Sequence, residues 1–390
     1  MNPQSRRIVA VLFGTRPDTI KLAPVVLALQ EEKKLFRVVT IATAQHREML
    51  DQVLEVFRIR PRYDLNIMQP RQALASLTAR TLTALDEVLE TVRPDMLLVQ
   101  GDTTSTFVGS LAAFYRRIPV GHVEAGLRTR DKSNPFPEEI NRRLTGALAD
   151  LHFAPTESAR RALLAESCPA DRIIVTGNTV VDALNLAVRS QRRISETKLA
   201  ALLRSRQRIV LITMHRRESW GEPMRSACRA IRLLSKTFPD VRFVFPVHLN
   251  PAVTEVVLPT LGGLENVHLL EPLAYMDFVQ LMARSYLVLT DSGGIQEEAP
   301  ALGKPVLVLR KVTERPEGVA FGTAKLVGLD EEKIVSETTE LLTDRQAYRK
   351  MATAINPYGD GKASRRIVAA LKKYFGLSRS PIREFRPEEQ

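Results

Sequence analysis

The sequence predicts an α/β protein made of two Rossmann-like parallel sheets in tandem, facing a cleft. Three observations carry this reading. Short apolar, β-branched runs recur along the 390 residues, longer stretches of helical period separate them, and the whole pattern restarts near residue 206. Arg7–Phe13 (RIVAVLF) and the runs starting at Arg37, Asp95, Ile118 and Arg172 read as buried strands of the first sheet. Helical periodicity over 20–30 and 76–92 fills the gaps between strands. A basic, turn-poor stretch follows Thr176-Gly177-Asn178-Thr179 and reads as a helical connector over 181–205. Arg208–Thr213, Val241–Pro246, 286–290 and 305–309 then form the strands of a second sheet. The expected division is therefore a first domain over 1–180, a second over 206–363, and a C-terminal helix and tail over 364–390. That last helix, at 364–375, could pack back on either domain, the first among them, and the tail from Ser378 reads as loose. A chain of this length exceeds what one core usually organises. Doubly wound sheets bind ligands at the carboxyl ends of their strands, so two of them direct the search for a site to the cleft between them.

Composition narrows the classes of function. With 44% apolar and 26% charged residues the chain is far from a disordered profile. The net charge of +12 raises the question of nucleic acid. Basic residues nevertheless scatter through segments such as ESARRALLAE and SRQRIVLIT, and no nucleic-acid motif accompanies them, so the charge reads as a solvated surface. Two cysteines, Cys168 and Cys228, make neither a disulfide framework nor a metal site and suit a reducing compartment. No apolar run reaches the length of a membrane span, and the seven-residue run near the amino terminus lacks a cleavage site. The sequence thus predicts a cytoplasmic protein with no membrane or nucleic-acid partner. It has no nicotinamide fingerprint and no ligand-spaced cluster, so neither cofactor nor metal is expected.

Six segments hold residue types suited to chemistry. Phe13-Gly14-Thr15-Arg16-Pro17-Asp18 ends the first strand, and Arg16 and Lys21 can lean toward an anion at the following helix. The bland alternative is a strand-to-helix turn with solvated cations. Asp291-Ser292-Gly293-Gly294 leaves a buried strand for a helix, where glycines let a backbone approach a phosphate and Glu298 can take ribose hydroxyls. Gly101-Asp102, His122-Val123-Glu124 and Pro137-Glu138 bring three carboxylates, Asp102, Glu124 and Glu138, to one sheet edge. Asp102 could instead cap a helix, and Glu124 could pair with Arg128. His215, in Thr213-Met214-His215-Arg216-Arg217-Glu218-Ser219, ends the first strand of the second domain.

Taken in order, FGTRPDTIKLAPV, TAQHREMLDQVL, GDTTSTFVGSLAAFY, PVGHVEAGLRT, PFPEEINRRLTG, HRRES, DSGGIQEEAPALGKPVLVLR, TERPE and NPYGDGKAS resemble the motifs of the non-hydrolysing UDP-N-acetylglucosamine 2-epimerases, from about residue 8 to 375. The resemblance implies the GT-B architecture, no cofactor and a homodimer. It also implies reversible epimerisation at carbon 2 of UDP-N-acetylglucosamine, by anti elimination and re-addition of UDP, to supply a precursor of surface polysaccharide. UDP binding would fall to Arg16, Lys21, Phe278, Ser292, Gly293, Gly294, Glu298 and Arg315, and catalysis to Asp102, Glu124, Glu138 and His215. In bacterial members UDP-N-acetylglucosamine is also an effector at a neighbouring site, which here would use Gln45, Arg71, Arg217 and His248. Three departures stand out: Asp18 replaces a usual Glu, Met214 replaces a small residue and could crowd the cleft, and Leu273 stands where some members have Gln near the base. Rival readings are a hydrolysing epimerase releasing N-acetylmannosamine, an epimerase of a related UDP-amino-sugar uronic acid, a GT-B glycosyltransferase, and a silent nucleotide-sugar sensor.

Overall fold

The computed structural model describes residues 6–43, 53–67, 73–190 and 194–389. Its chain divides into two compact units, Met1–Leu186 with Gly359–Arg386, and Ala187–Tyr358 with Pro387–Gln390. In the first unit a seven-stranded sheet contains β1 (Arg7–Phe13), β2 (Phe36–Ala42), β3 (Tyr63–Asp64), β4 (Met96–Gln100), β5 (Val120–Val123), β6 (Leu151–Ala154) and β7 (Ile173–Val175). Their order across the sheet is 3-2-1-4-5-6-7, and every pairing is parallel. The second unit holds β8 (Arg208–Thr213), β9 (Val241–Pro246), β10 (Val267–Leu270), β11 (Leu287–Thr290), β12 (Val306–Val308) and β13 (Ala324–Leu326). These run in the order 10-9-8-11-12-13, again all parallel.

Parallel sheets covered by helices bury both faces of their strands, which explains the apolar runs. Five of the seven residues of β1 and all five of β4 are buried. Where the strand order reverses, between β1 and β4 and between β8 and β11, the helices leaving neighbouring strands go to opposite faces and open a crevice at the carboxyl edge.

The stretch 181–205 holds most of the helix Thr179–Arg189, which starts two residues earlier than the expected connector, and all of the helix Thr197–Arg204. The second of them belongs to the Ala187–Tyr358 unit, tied by the Ser195 hydroxyl donating to Asp277 at 2.5 Å. At the other end of the chain, the helix Ala363–Tyr374 is anchored by Asp182, which accepts from the Ala363 and Ser364 amides at 3.1 and 2.9 Å. It packs on the helix Arg16–Glu31, where Lys372 meets Glu32 at 2.5 Å. The tail beyond it departs from the sequence reading. Phe385 is buried and its amide donates to the Val175 carbonyl at 2.8 Å, while Glu384 accepts from the Val175 amide and from Arg160. An aromatic anchor and an ion pair within a polar segment outweigh the entropy that makes most termini loose. Among the described residues no helix is long and apolar enough to cross a membrane.

Phe385 lies against Gly177 and under the Arg366 guanidinium, 5.6 Å from its ring centre. Phe385→Ala should therefore destabilise its unit by about 3 kcal/mol, the usual cost of emptying a buried aromatic site. Urea unfolding measures this, and an unchanged midpoint would show the tail to be energetically idle.

Candidate active site

At the first reversal, the turn after β1 enters the helix Arg16–Glu31, which presents exposed Arg16 in its first turn and carries Lys21 one turn later. Lys21 Nζ is engaged by a carboxylate. It donates to both oxygens of Glu124, at 2.6 and 2.7 Å. Gln100 at the end of β4 gives its amide to Glu124 Oε2 at 2.5 Å, and Asn178 gives its own to Oε1 at 2.9 Å. Glu124 is buried and sits at φ +63°, a left-handed conformation that costs a branched or bulky chain free energy unless its surroundings hold it. Arg128 pairs with Glu166, at 2.7 and 2.8 Å.

Asp102 stands two residues beyond β4, next to Glu124 because Gln100 and Val123 are register partners. It is not a helix cap, since Thr103 caps the helix Thr104–Tyr115 by accepting from the Thr106 amide. Arg142 clamps its carboxylate at 2.6 and 2.9 Å, and Asn141 donates to its carbonyl at 2.9 Å. Both residues lie on the helix Glu138–Leu148, whose first residue is Glu138. The clamp thus brings Glu138 and Asp102 to one corner. Among the described residues the Glu138 side chain makes no hydrogen bond or ion pair. Its neighbour Glu139 is fully buried, accepting from the Thr129 and Arg130 amides and from Arg142. Burial pushes the Glu139 carboxyl up, but those donors outweigh it and hold it below its ordinary range. His122 pins the Asp102 turn from behind, its Nε2 lying 2.7 Å from the carbonyl of Gly101 (φ +70°). Burial lowers His122 to about 3, so it is neutral and donates there.

At the second reversal, His215 and Asp291 follow β8 and β11, whose last residues Thr213 and Thr290 are paired. His215 Nδ1 lies 3.3 Å from Asp291 Oδ1, and its ring stacks toward His248 with centres 6.1 Å apart. Exposed Arg217 opens the short turn after it. Met214 differs from the sequence expectation. It is 1% exposed and packs into the core of its unit, because the side chain points away from the strand edge. Ser292, Gly293 and Gly294 then lead into Ile295–Ala301. A Cβ at Gly293 would meet only Arg216 and Glu314 at ordinary distances, and one at Gly294 only Glu298, so the fold itself does not demand glycine there. Space in front of the backbone is the reason that remains, as close approach to a phosphate requires. Arg315 is held by Glu297, and Phe278 is half-buried on Tyr275–Arg284, one turn after Leu273. Gln45 and Arg71 lie outside the described residues. Sequence reasoning did not single out Gln100, Asn178, Arg142 or Asp291, each of which holds one of the expected residues from far along the chain.

Two parallel α/β units, each with polar residues gathered at the carboxyl edge where its strand order reverses, define a protein of the GT-B-like class. The family model of UDP-N-acetylglucosamine 2-epimerase matches residues 28–372. The chain is 55% identical to UDP-N-acetylglucosamine 2-epimerase of Bacillus subtilis (strain 168), over 94% of this chain and 96% of that one. It is 54% identical to the Salmonella typhimurium enzyme of the same name, over 94% and 98%. Among solved structures, UDP-GlcNAc 2-epimerase from Neisseria meningitidis bound to UDP-GlcNAc superposes with a TM-score of 0.84 at 50% identity, covering 94% of this chain and 100% of that one. This chain belongs to the UDP-N-acetylglucosamine 2-epimerase family.

Asp18, the shortened carboxylate, is buried at the start of its helix, accepting from the Thr15 amide at 3.0 Å and the Thr103 hydroxyl at 3.2 Å. Burial, then the charge of Asp102, push its carboxyl up from 3.8 to about 7, against Thr15, Lys21 and Thr103. A carboxyl raised in the folded state stabilises fully below its unfolded value and loses that contribution as pH rises through its folded value. Asp18→Asn should therefore gain stability over the parent on going from about pH 4 to about pH 8, by at most about 4 kcal/mol. Parallel pH profiles for the two proteins would contradict the assignment.

Proposed function

We propose that the chain interconverts UDP-N-acetylglucosamine and UDP-N-acetylmannosamine without hydrolysis, by eliminating UDP and adding it back. One observation supports this: Arg142 and Asn141 tie Asp102 to the helix that Glu138 opens, beside a separately buried Glu124, which offers two partly exposed acids and one sealed by its donors. Carbon 2 is not beside a carbonyl, so its proton becomes acidic only as the bond from carbon 1 to the phosphate oxygen breaks. In the forward step a carboxylate takes that proton, the bonding pair closes the double bond between carbons 1 and 2, and the carbon 1 to oxygen pair leaves with UDP. Returning the proton to the opposite face while UDP attacks carbon 1 yields the epimer. Two acid-base groups on opposite faces are needed, and Asp102 and Glu138 are our pair. Glu124, with both oxygens engaged by Lys21, Gln100 and Asn178, suits stabilisation of ring charge or of a sugar hydroxyl better than proton exchange. His215, Arg16 and the glycine turn serve the diphosphate. The Neisseria relative's bound UDP-GlcNAc supports the substrate class. A second molecule of that nucleotide sugar acting as effector, through Gln45, Arg71, Arg217 and His248, completes the proposal.

Proton NMR in heavy water tests the reading. UDP-N-acetylglucosamine should give UDP-N-acetylmannosamine with deuterium at carbon 2 and no free amino sugar, and a start from purified UDP-N-acetylmannosamine should show a lag that traces of the other sugar relieve. Unlabelled product would sink the elimination route, free N-acetylmannosamine would make the enzyme hydrolysing, and the absence of a lag would remove the effector. Asp102→Asn and Glu138→Gln should each cost at least about a hundredfold in kcat. Near-normal turnover in either variant would break the pairing.

A further inference from the structure

Asp291 leaves β11 fully buried, and its two carboxylate oxygens have different duties. Oδ2 accepts three hydrogen bonds, from the His215 amide at 2.9 Å, the Arg216 amide at 2.9 Å and the Ser219 hydroxyl at 3.1 Å. Those bonds fix the plane of the carboxylate. Oδ1 has no hydrogen-bond partner among the described residues, yet it is shut away from solvent, and the Nδ1 of His215 stands 3.3 Å from it. A buried acceptor left unpaired costs about 1–3 kcal/mol, so a donor in reach is worth holding there. We infer that Asp291 is the positioning residue of His215: its Oδ1 accepts a hydrogen bond from Nδ1–H, which fixes the tautomer and turns Nε2 toward the substrate diphosphate.

The inference rests on the reading of His215 as the diphosphate-side group. The topology makes the pair, because β8 and β11 are neighbours at the strand reversal and their last residues are in register. The imidazole side chain is 41% exposed while the Asp291 side chain is 0% exposed, so the ring has one buried edge and one open edge. Facing the ring are Asp291, Arg216, His248 and Glu218. Burial lowers the imidazole below its ordinary value, opposed by Asp291 and aided by Arg216 and His248, so the ring is neutral near pH 8 and its tautomer is a defined state. Only the tautomer protonated on Nδ1 satisfies Oδ1. When a diphosphate arrives, its charge favours a second proton on Nε2, and the resulting imidazolium is held between two anions.

Nitrogen NMR of the full-length protein with labelled histidine reads the tautomer directly, with the His215 signals assigned by their loss in His215→Ala. At about pH 8 without nucleotide, Nδ1 should carry the proton and Nε2 should be bare. In Asp291→Asn one oxygen can keep the two backbone donors while the amide faces Nδ1, so the tautomer should invert and kcat should fall by roughly a hundredfold. Placed in a His215→Ala background, the same substitution should cost less than about twofold more, because coupled residues are not additive. A wild-type ring protonated on Nε2, near-full turnover in Asp291→Asn, or an undiminished cost in the His215→Ala background would each overturn the assignment. If the tautomer is as stated but no epimer forms, the proposed function fails and the positioning role stands.

Discussion

The Glu124 carboxylate is taken out of water at the edge of the first sheet, and the elements around it are arranged to make that tolerable. An isolated buried carboxylate costs several kcal/mol, and a partner repays this only with good geometry and filled lone pairs. Four hydrogen bonds do so, two from Lys21 on the first helix, one from Gln100 at the end of β4 and one from Asn178 just before the helix Thr179–Arg189. The same contacts hold a left-handed φ at a residue with a long side chain. Three separate chain segments are thereby locked to the end of β5, and Asp102, one strand over, inherits a rigid frame.

Asp102 has a different environment, which suits the proton exchange proposed for it. Its carboxylate is partly exposed and held by one arginine, whereas Glu124 is sealed by neutral amides and an ammonium. A group that must gain and lose a proton benefits from the first arrangement, and a fixed charge from the second. The second unit repeats the logic with Asp291, which spends one oxygen on the turn that carries His215 and keeps the other for the imidazole. In both units the residues proposed for the site lie where the strand order reverses, so topology rather than local sequence decides what is adjacent.

That division explains what could be read from the sequence. Both α/β repeats and the strands β1, β2, β4 and β8 were legible because their apolar runs are long, while β3, β6, β10 and β13 are two to four residues long and broken by Asp64, His152, His268 and Lys325, which leaves too little period to register. The strand-end position of Asp102, Glu124 and His215 was legible as well, since each follows an apolar run directly. Their partners were not. Asn178 lies 54 positions from Glu124, and Asp291 lies 76 from the His215 amide, and such pairs exist only once the sheets are wound. Met214 was misjudged because a residue past a strand end has no alternation to say which way it points. The docked tail was missed because one aromatic, Phe385, does the anchoring in an otherwise polar segment.

The central claim is that the bond between carbon 1 and the diphosphate breaks and re-forms during each turnover. UDP-N-acetylglucosamine carrying heavy oxygen in the bridge between sugar and phosphorus tests it, because a released β-phosphate rotates and exchanges its oxygens before returning. The account predicts that phosphorus NMR of recovered nucleotide sugar will show the label spread from the bridge to the non-bridging positions during epimerisation. Epimer formed with the label wholly retained in the bridge would contradict it.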